Sequence, residues 1–224
     1  MKPYFITATG TGIGKTLITS ALAYQLRAQS KNVRAVKPVI SGFDTSHIEE
    51  SDTGTLLVAQ GLPLSQDNID AISPWRFAAP LSPDLAAEDE GKIIDFNRLV
   101  AFCKQRKDTD VLLVEGIGGV MVPLGTHHTV LDWMLELGFP VILVAGSYLG
   151  SLNHTLLSAK AILAASLTLH AVVVSESESP AVPFARMRAA LCRFLPPETL
   201  LIHIPRLDSS AELWKYVPNL MECI

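Results

Sequence analysis

Three cysteines in 224 residues are too few and too scattered to brace the chain. Cys103, Cys192 and Cys223 are an odd number at unrelated spacings, so they form neither a disulfide framework nor a metal knuckle. They fit a reduced, cytoplasmic protein. Positive charge is also short: 18 Lys and Arg stand against 22 Asp and Glu, a formal net charge of -4 with a pI near 5.8. That balance argues against a nucleic-acid partner or an anionic membrane surface. Long hydrophobic runs are missing too. The longest, residues 161–174, is interrupted by Ser166, Thr168 and His170, and is too short and too polar to span a bilayer. The first apolar run is short and leads straight into a glycine loop, so no signal peptide is expected. No repeat, linker or low-complexity segment divides the chain, and one domain over residues 1–224 is expected. What is plentiful is apolar side chain: 49% hydrophobic residues and a mean hydropathy of +0.32 can fill a sizeable buried sheet.

The chain is organised around residues 4–16. An apolar, β-prone run from Tyr4 to Thr7 passes into a loop holding Gly10, Gly12 and Gly14, and Lys15-Thr16 opens an apolar-periodic segment. Strand, glycine turn and helix in that order make a phosphate cradle. The glycines let backbone N–H groups curl inward, and the helix N-terminus adds partial positive charge. Lys15 can then reach the β- and γ-phosphates, while the Thr16 hydroxyl takes a place on Mg²⁺. The spacing is unusual, because G-x-x-x-x-G-K-[ST] would put glycine where Thr9 stands.

The remaining pattern alternates. Helix is expected from about Lys15 to Ala28, then a strand from Asn32 to Ile40 ending in Lys37-Pro38-Val39-Ile40-Ser41-Gly42. Residues 43–51 read as a polar, mobile loop, and Ser51-Asp52 as the start of a short helix ending near Gly61. Residues 67–79 read as irregular and edge-like. Helices are expected over Pro83–Glu90 and Asp95–Lys107, around Leu152–Ala165 and Phe184–Phe194, and briefly at the end. Val111–Val114 and Val141–Ala145 are wholly apolar, the mark of strands covered on both faces. Leu169–Val174 and Leu200–Ile204 complete the strands. The alternation predicts an α/β, doubly wound, mostly parallel sheet with helices on both faces, of P-loop NTPase type. Ligands in such folds bind beyond the carboxyl ends of the strands.

Lys15, Thr16, Lys37, Asp52 and Glu115 all fall at or just past strand ends. Two carboxylates and a Thr hydroxyl suit Mg²⁺, and a second lysine suggests another anion beside the γ-phosphate, as phosphoryl transfer requires. Plainer roles stay open. Asp52 could be only a helix cap, Glu115 only a partner for Lys15, and Lys37 only a surface charge.

Several strings occur together and in order: Thr-x-Thr-x-x-Gly-Lys-Thr, Lys37-Pro38-Val39-x-Ser41-Gly42, Ser51-Asp52, Pro80-x-Ser82-Pro83 and Val114-Glu115-Gly116-x-Gly118-Gly119. With Leu149-Gly150-x-x-Asn153-His154 and Ile204-Pro205, they resemble the dethiobiotin synthetase family over nearly the whole chain. That family also uses a cradle with one extra residue, which accounts for Thr9. The resemblance implies that 7,8-diaminopelargonic acid, carbon dioxide and MgATP give dethiobiotin, ADP and phosphate in biotin synthesis. It implies catalytic Lys15 and Lys37, and ATP contacts from Gly12, Ile13, Gly14, Lys15, Thr16, Leu17, Glu115, Gly116, Gly118, Ser175, Pro205, Arg206 and Leu207. The carbamate and substrate would meet Thr11, Lys37, Ser41 and Gly118. Leu149, Gly150, Ser151, Leu152 and Asn153 would receive the substrate tail from the neighbouring subunit of a homodimer. Thr16, Asp52 and Glu115 would carry Mg²⁺.

The chain departs from the family pattern at Ala8 (usually Gly), Gly12 (usually acidic), Asp84 (often His) and Ser175 (commonly Asn near the adenine). A tyrosine expected at the substrate tail has only Phe184 or Met187 near its place. Two other classes share the fold. A switch or assembly ATPase would carry an extra lysine where Gly10 stands, and a GTP-dependent metal chaperone would carry N-K-x-D where Ser175-Glu176-Ser177-Glu178 stands. An amidoligase of the same fold would add a glutaminase domain.

Overall fold

The computed structural model describes residues 1–105, 109–208 and 212–224. In chain order its strands are β1 (Lys2–Ala8), β2 (Val33–Val36), β3 (Val39–Ser41), β4 (Trp75–Phe77), β5 (Val111–Glu115), β6 (Val141–Ala145), β7 (Leu169–Ser175) and β8 (Leu200–Ile204). Its helices are α1 (Lys15–Ala28), α2 (Asp52–Ala59), α3 (Gln66–Ile72), α4 (Pro83–Asp89), α5 (Phe96–Lys104), α6 (Val130–Leu137), α7 (Ser151–Ala164) and α8 (Phe184–Leu191). Among the described residues, six strands form one parallel sheet in the order β2-β5-β1-β6-β7-β8.

The apolar runs explain this order. Every residue of β5 and β6 is buried, as parallel strands covered on both faces must be, and β1 lies between them. Successive side chains on β1 point to opposite faces. Phe5 meets Trp133 of α6 edge to face, with centroids 4.8 Å apart. Tyr4 meets His170 at 5.3 Å, and the His170 ring is bonded to the Cys223 carbonyl of the C-terminal segment. Each face of the sheet therefore carries its own cover. On α1, Ile18, Ala21, Leu22 and Leu26 recur at three- and four-residue spacing and are all buried.

Four expectations need correction. The strand expected over 32–40 breaks at Pro38, which has no N–H to continue a ladder. Val39–Ser41 leaves the main sheet and pairs in parallel with Trp75–Phe77, so residues 67–79 are not irregular. They hold all but the first residue of α3, whose N-cap is Ser65, and all of β4. The loop expected over 43–51 contains a 3₁₀ turn at Ile48–Glu50. The short C-terminal helix is two 3₁₀ turns, Leu213–Lys215 and Met221–Cys223. Helix α6 has no counterpart among the expectations. Thr129 and Asp132 form its capping box, and Gly138 ends it in the left-handed region. The expected end of α5 at Lys107 lies outside the described residues.

Candidate active site

The loop between β1 and α1 turns because two of its glycines sit where L side chains are strained: φ is +72° at Gly12 and +99° at Gly14. Gly14 stands at the N-cap of α1, with no side chain over the first N–H groups and no acid in the first turn. The helix end is therefore free to face an anion. Lys15, the first residue of α1, is buried and donates to the carbonyls of Gly10 (3.1 Å) and Gly118 (2.8 Å). Burial pushes its ammonium down to about 8, Lys37 adds to that, and Glu115 and Asp52 oppose it.

Below the loop lies a charged network. Lys37 is 3% exposed and Glu115 fully buried, so Lys37 is no surface charge. Its ammonium donates to Glu115 Oε1 at 2.7 Å and to the Gly116 carbonyl at 3.3 Å, and pairs with Asp52 Oδ2 at 2.8 Å. Thr16 donates to the same Glu115 oxygen at 2.8 Å. Burial opposes charge on Lys37, but the two carboxylates outweigh it and hold the ammonium above its ordinary range. Burial also acts against ionised Asp52, and here Lys37 and its hydrogen bond win and hold the carboxyl low. The cap of α2 is Ser51, whose hydroxyl accepts from the Gly54 N–H at 3.0 Å, which leaves the Asp52 carboxylate for the network. Glu115 bonds Lys37 and Thr16 rather than Lys15.

The donor set fits Mg²⁺. Among the described residues Glu115 Oε2 is buried with no hydrogen-bond partner, and such a group costs about 1–3 kcal/mol unless something meets it. With the Thr16 hydroxyl and Asp52 it supplies hard oxygen ligands on one side of the cradle. No cluster of three or more His, Cys, Asp or Glu among the described residues could hold a metal. Mg²⁺ is commonly bound by one or two carboxylates together with substrate phosphates.

A cleft of about 660 Å³ gathers Thr11, Gly12, Gly14, Lys15, Thr16, Lys37, Ser41, Asp52 and Gly118. Its walls include Ile40, Ile117, Val122 and Pro80–Pro83, whose apolar role sequence reasoning did not assign. Leu17, Ser175, Pro205, Arg206 and Leu207 come together in a second pocket of about 210 Å³. The hydroxyl of Ser175 lies 3.1 Å from where a Gly14 Cβ would be, so this pocket flanks the cradle. Ile13 lines neither. It is half-buried against the core. Gly116 has no room for a side chain, since a Cβ would lie 2.9 Å from the Phe5 ring.

Leu149, Gly150, Ser151 and Leu152 are not brought to the cleft. They line a separate groove of about 580 Å³ with Tyr148, Arg186 and Met187, while Asn153 is exposed outside it. Of the two candidates for the missing tyrosine, Met187 lines this groove and Phe184 stacks on His203 at 4.4 Å. Arg186 was not foreseen, because one arginine on a polar helix face gives no signal. Asp84 accepts from Ser82 in the cleft wall.

The AAA domain family matches residues 2–212. The chain is 43% identical over 211 residues to the ATP-dependent dethiobiotin synthetase BioD of Acidiphilium cryptum (strain JF-5), covering 92% of this chain and 95% of that protein. This chain belongs to the dethiobiotin synthetase family. The namesake enzyme of Phenylobacterium zucineum (strain HLK1) is 45% identical over 186 residues, 82% of this chain and 80% of its own. Among solved structures, the cell division protein FtsY of Thermotoga maritima superposes with a TM-score of 0.52 at 15% identity, covering 94% of this chain and 63% of that one. FtsY of Elizabethkingia anophelis in complex with GDP gives 0.50 at 14%, covering 99% and 61%. The chain thus spans less than two thirds of either structure, and at this identity the likeness concerns the fold alone.

Proposed function

We propose that this protein is an ATP-dependent dethiobiotin synthetase of biotin biosynthesis, a cyclo-ligase whose whole activity is carried by one domain of residues 1–224. One amine of 7,8-diaminopelargonate adds to carbon dioxide and loses a proton, giving a carbamate. A carbamate oxygen attacks the γ-phosphorus, which releases ADP and leaves a carbamic-phosphoric anhydride. The second amine then attacks the carbamoyl carbon, expels phosphate and closes the cyclic urea.

The observation that carries this reading is two lysines on one cleft with different partners. Lys15 rests on loop carbonyls, which it can exchange for phosphate oxygens. Lys37 is fixed by two carboxylates and stays charged beside Ser41, as a site for an anionic acceptor needs. In this reading Lys37, Ser41 and Thr11 hold the carbamate with Gly118 behind them, and Lys15 sits between carbamate and γ-phosphate. Gly12 to Thr16 cradle the phosphates. Leu17, Ser175 and Pro205–Leu207 take the base, and Glu115–Gly116 close the floor. Thr16, Asp52 and Glu115 would hold Mg²⁺, which supplies charge neutralisation at the transferring phosphoryl group. Positioning and preorganised charge account for most of such catalysis.

A homodimer with a shared site is part of the proposal. Leu149 is 89% exposed and Leu157 60%, apolar surface that a second copy would cover. The groove at Leu149–Leu152 would then receive the carboxylate end of substrate bound in the partner's cleft. No helix among the described residues is long and apolar enough to cross a membrane. Three cysteines at wide and unrelated spacings suit the cytoplasm. Phosphate release from ATP that needs Mg²⁺, bicarbonate and diaminopelargonate together, with dethiobiotin detected by mass, tests the reading. ATP hydrolysis indifferent to the diamine would overturn it.

A further inference from the structure

The 210 Å³ pocket beside the cradle holds a carboxylate, Glu176, to which the proposed reaction gives no role. Ser175 ends β7 and Glu176 follows it, and both line this pocket opposite the apolar side chains of Leu17 and Leu213. Glu176 is positioned rather than loose. Its Oε2 accepts the Arg206 N–H at 2.9 Å, and Arg206 lines the same pocket. The same oxygen lies 3.8 Å from His203 Nε2, while Oε1 has no hydrogen-bond partner among the described residues and is open to a ligand. Ser175 offers only a hydroxyl here, with none of the paired donor and acceptor of an amide.

This chemistry discriminates between purines. The Watson–Crick edge of adenine presents an amine donor beside a ring-nitrogen acceptor. A carboxylate satisfies the donor and sets its own charge against the acceptor's lone pair. The edge of guanine presents two adjacent donors, the ring N–H and the exocyclic amine; Oε1 of Glu176 accepts one, and the lone pair of Oε2 that Arg206 leaves unused accepts the other. We propose that Glu176 reads the nucleobase and that this pocket takes guanine as well as adenine, so that GTP serves as a phosphoryl donor alongside ATP. The inference rests on the assignment of this pocket to the base under the function proposed above.

A bidentate pair to a base edge discriminates by roughly 5- to 150-fold. The direct test measures dissociation constants of the β,γ-imido analogues of ATP, GTP and ITP with Mg²⁺ on the wild-type chain and on Glu176→Gln. Glutamine keeps the carbonyl oxygen that accepts from Arg206 and loses the second acceptor. In the wild type, the ITP analogue lacks the exocyclic amine and should bind at least fivefold more weakly than the GTP analogue. In Glu176→Gln, affinity for the GTP analogue relative to the ATP analogue should fall at least fivefold. Equal binding of the GTP and ITP analogues by the wild type overturns the proposal, as does a ratio that Glu176→Gln leaves within fivefold. These binding ratios stand apart from turnover. A chain that shows them but makes no dethiobiotin would refute the proposed reaction and leave the base assignment in place.

Discussion

Replacing Lys37 with methionine should destabilise the protein by an amount that the network allows to be worked out. Methionine roughly fills the aliphatic stem and removes the ammonium. Glu115 is then left fully buried with one oxygen already unmet and only the Thr16 hydroxyl on the other. Breaking a buried pair by deleting one partner costs about 3–5 kcal/mol. The contact to Asp52 adds little, because that side chain is 42% exposed and water can replace the cation. The loss should therefore sit near the lower end, about 3 kcal/mol, which lowers Tm by roughly 6–12 °C in a chain of this size. Thermal unfolding at pH 7 followed by circular dichroism, with EDTA present so that no divalent ion compensates, measures it. The double substitution Lys37→Met with Glu115→Gln removes the stranded charge and should recover most of the loss. A single variant melting within 2 °C of the parent would show that Glu115 is not paired in the folded chain. A double variant as unstable as the single one would show that the loss comes from packing rather than charge.

Lys15→Ala should cut turnover by roughly 10²–10³ with little change in fold, as expected for a preorganised charge facing a transferring phosphoryl group. A variant within a few-fold of the parent rate would remove Lys15 from the mechanism. Because burial holds Lys15 down to about 8, it is half charged at pH 8, and triphosphate should draw a proton onto it. Calorimetry in buffers of different ionisation enthalpy should show about half a proton taken up per nucleotide at that pH, and Lys15→Ala should abolish the uptake. Asp52→Asn and Glu115→Gln should each raise the Mg²⁺ concentration for half-maximal rate, and an unchanged curve would leave them purely structural. Ser151, 3% exposed at the start of α7 and lining the second groove, can be replaced with aspartate. Ser151→Asp should raise KM for diaminopelargonate by about twofold to thirtyfold and leave KM for ATP nearly unchanged. An equal rise in both values would contradict the placement of the carboxylate.

The parts legible in the sequence are those governed by local rules. Wholly apolar runs became the buried strands β5 and β6, and the glycine string before Lys15-Thr16 became a cradle with two left-handed turns. Strand ends meet on one edge of a parallel sheet, so Lys37, Asp52 and Glu115 could be placed near the cradle from their positions alone. Their partners could not. Which lysine Glu115 bonds depends on side-chain reach across β2, β5 and α2, and adjacency along the sequence carries none of that. The capping box at Thr129 and the stop at Gly138 were readable signals for α6 that the strand pattern around them obscured. The second sheet was not readable locally, because pairing of Val39–Ser41 with Trp75–Phe77 joins segments more than thirty residues apart. The choice of Met187 over Phe184 in the second groove likewise follows from packing, since Phe184 has its own partner in His203.

The central claim is that one cleft joins a phosphoryl donor to a carbamate acceptor. Purified protein given Mg²⁺, [γ-¹⁸O]ATP, bicarbonate and 7,8-diaminopelargonate tests it in a single measurement of dethiobiotin and phosphate. One phosphate is expected per dethiobiotin, none without the diamine, and that phosphate should retain the three labelled γ-oxygens of ATP. Dethiobiotin without matching phosphate, or steady phosphate release without the diamine, would contradict it.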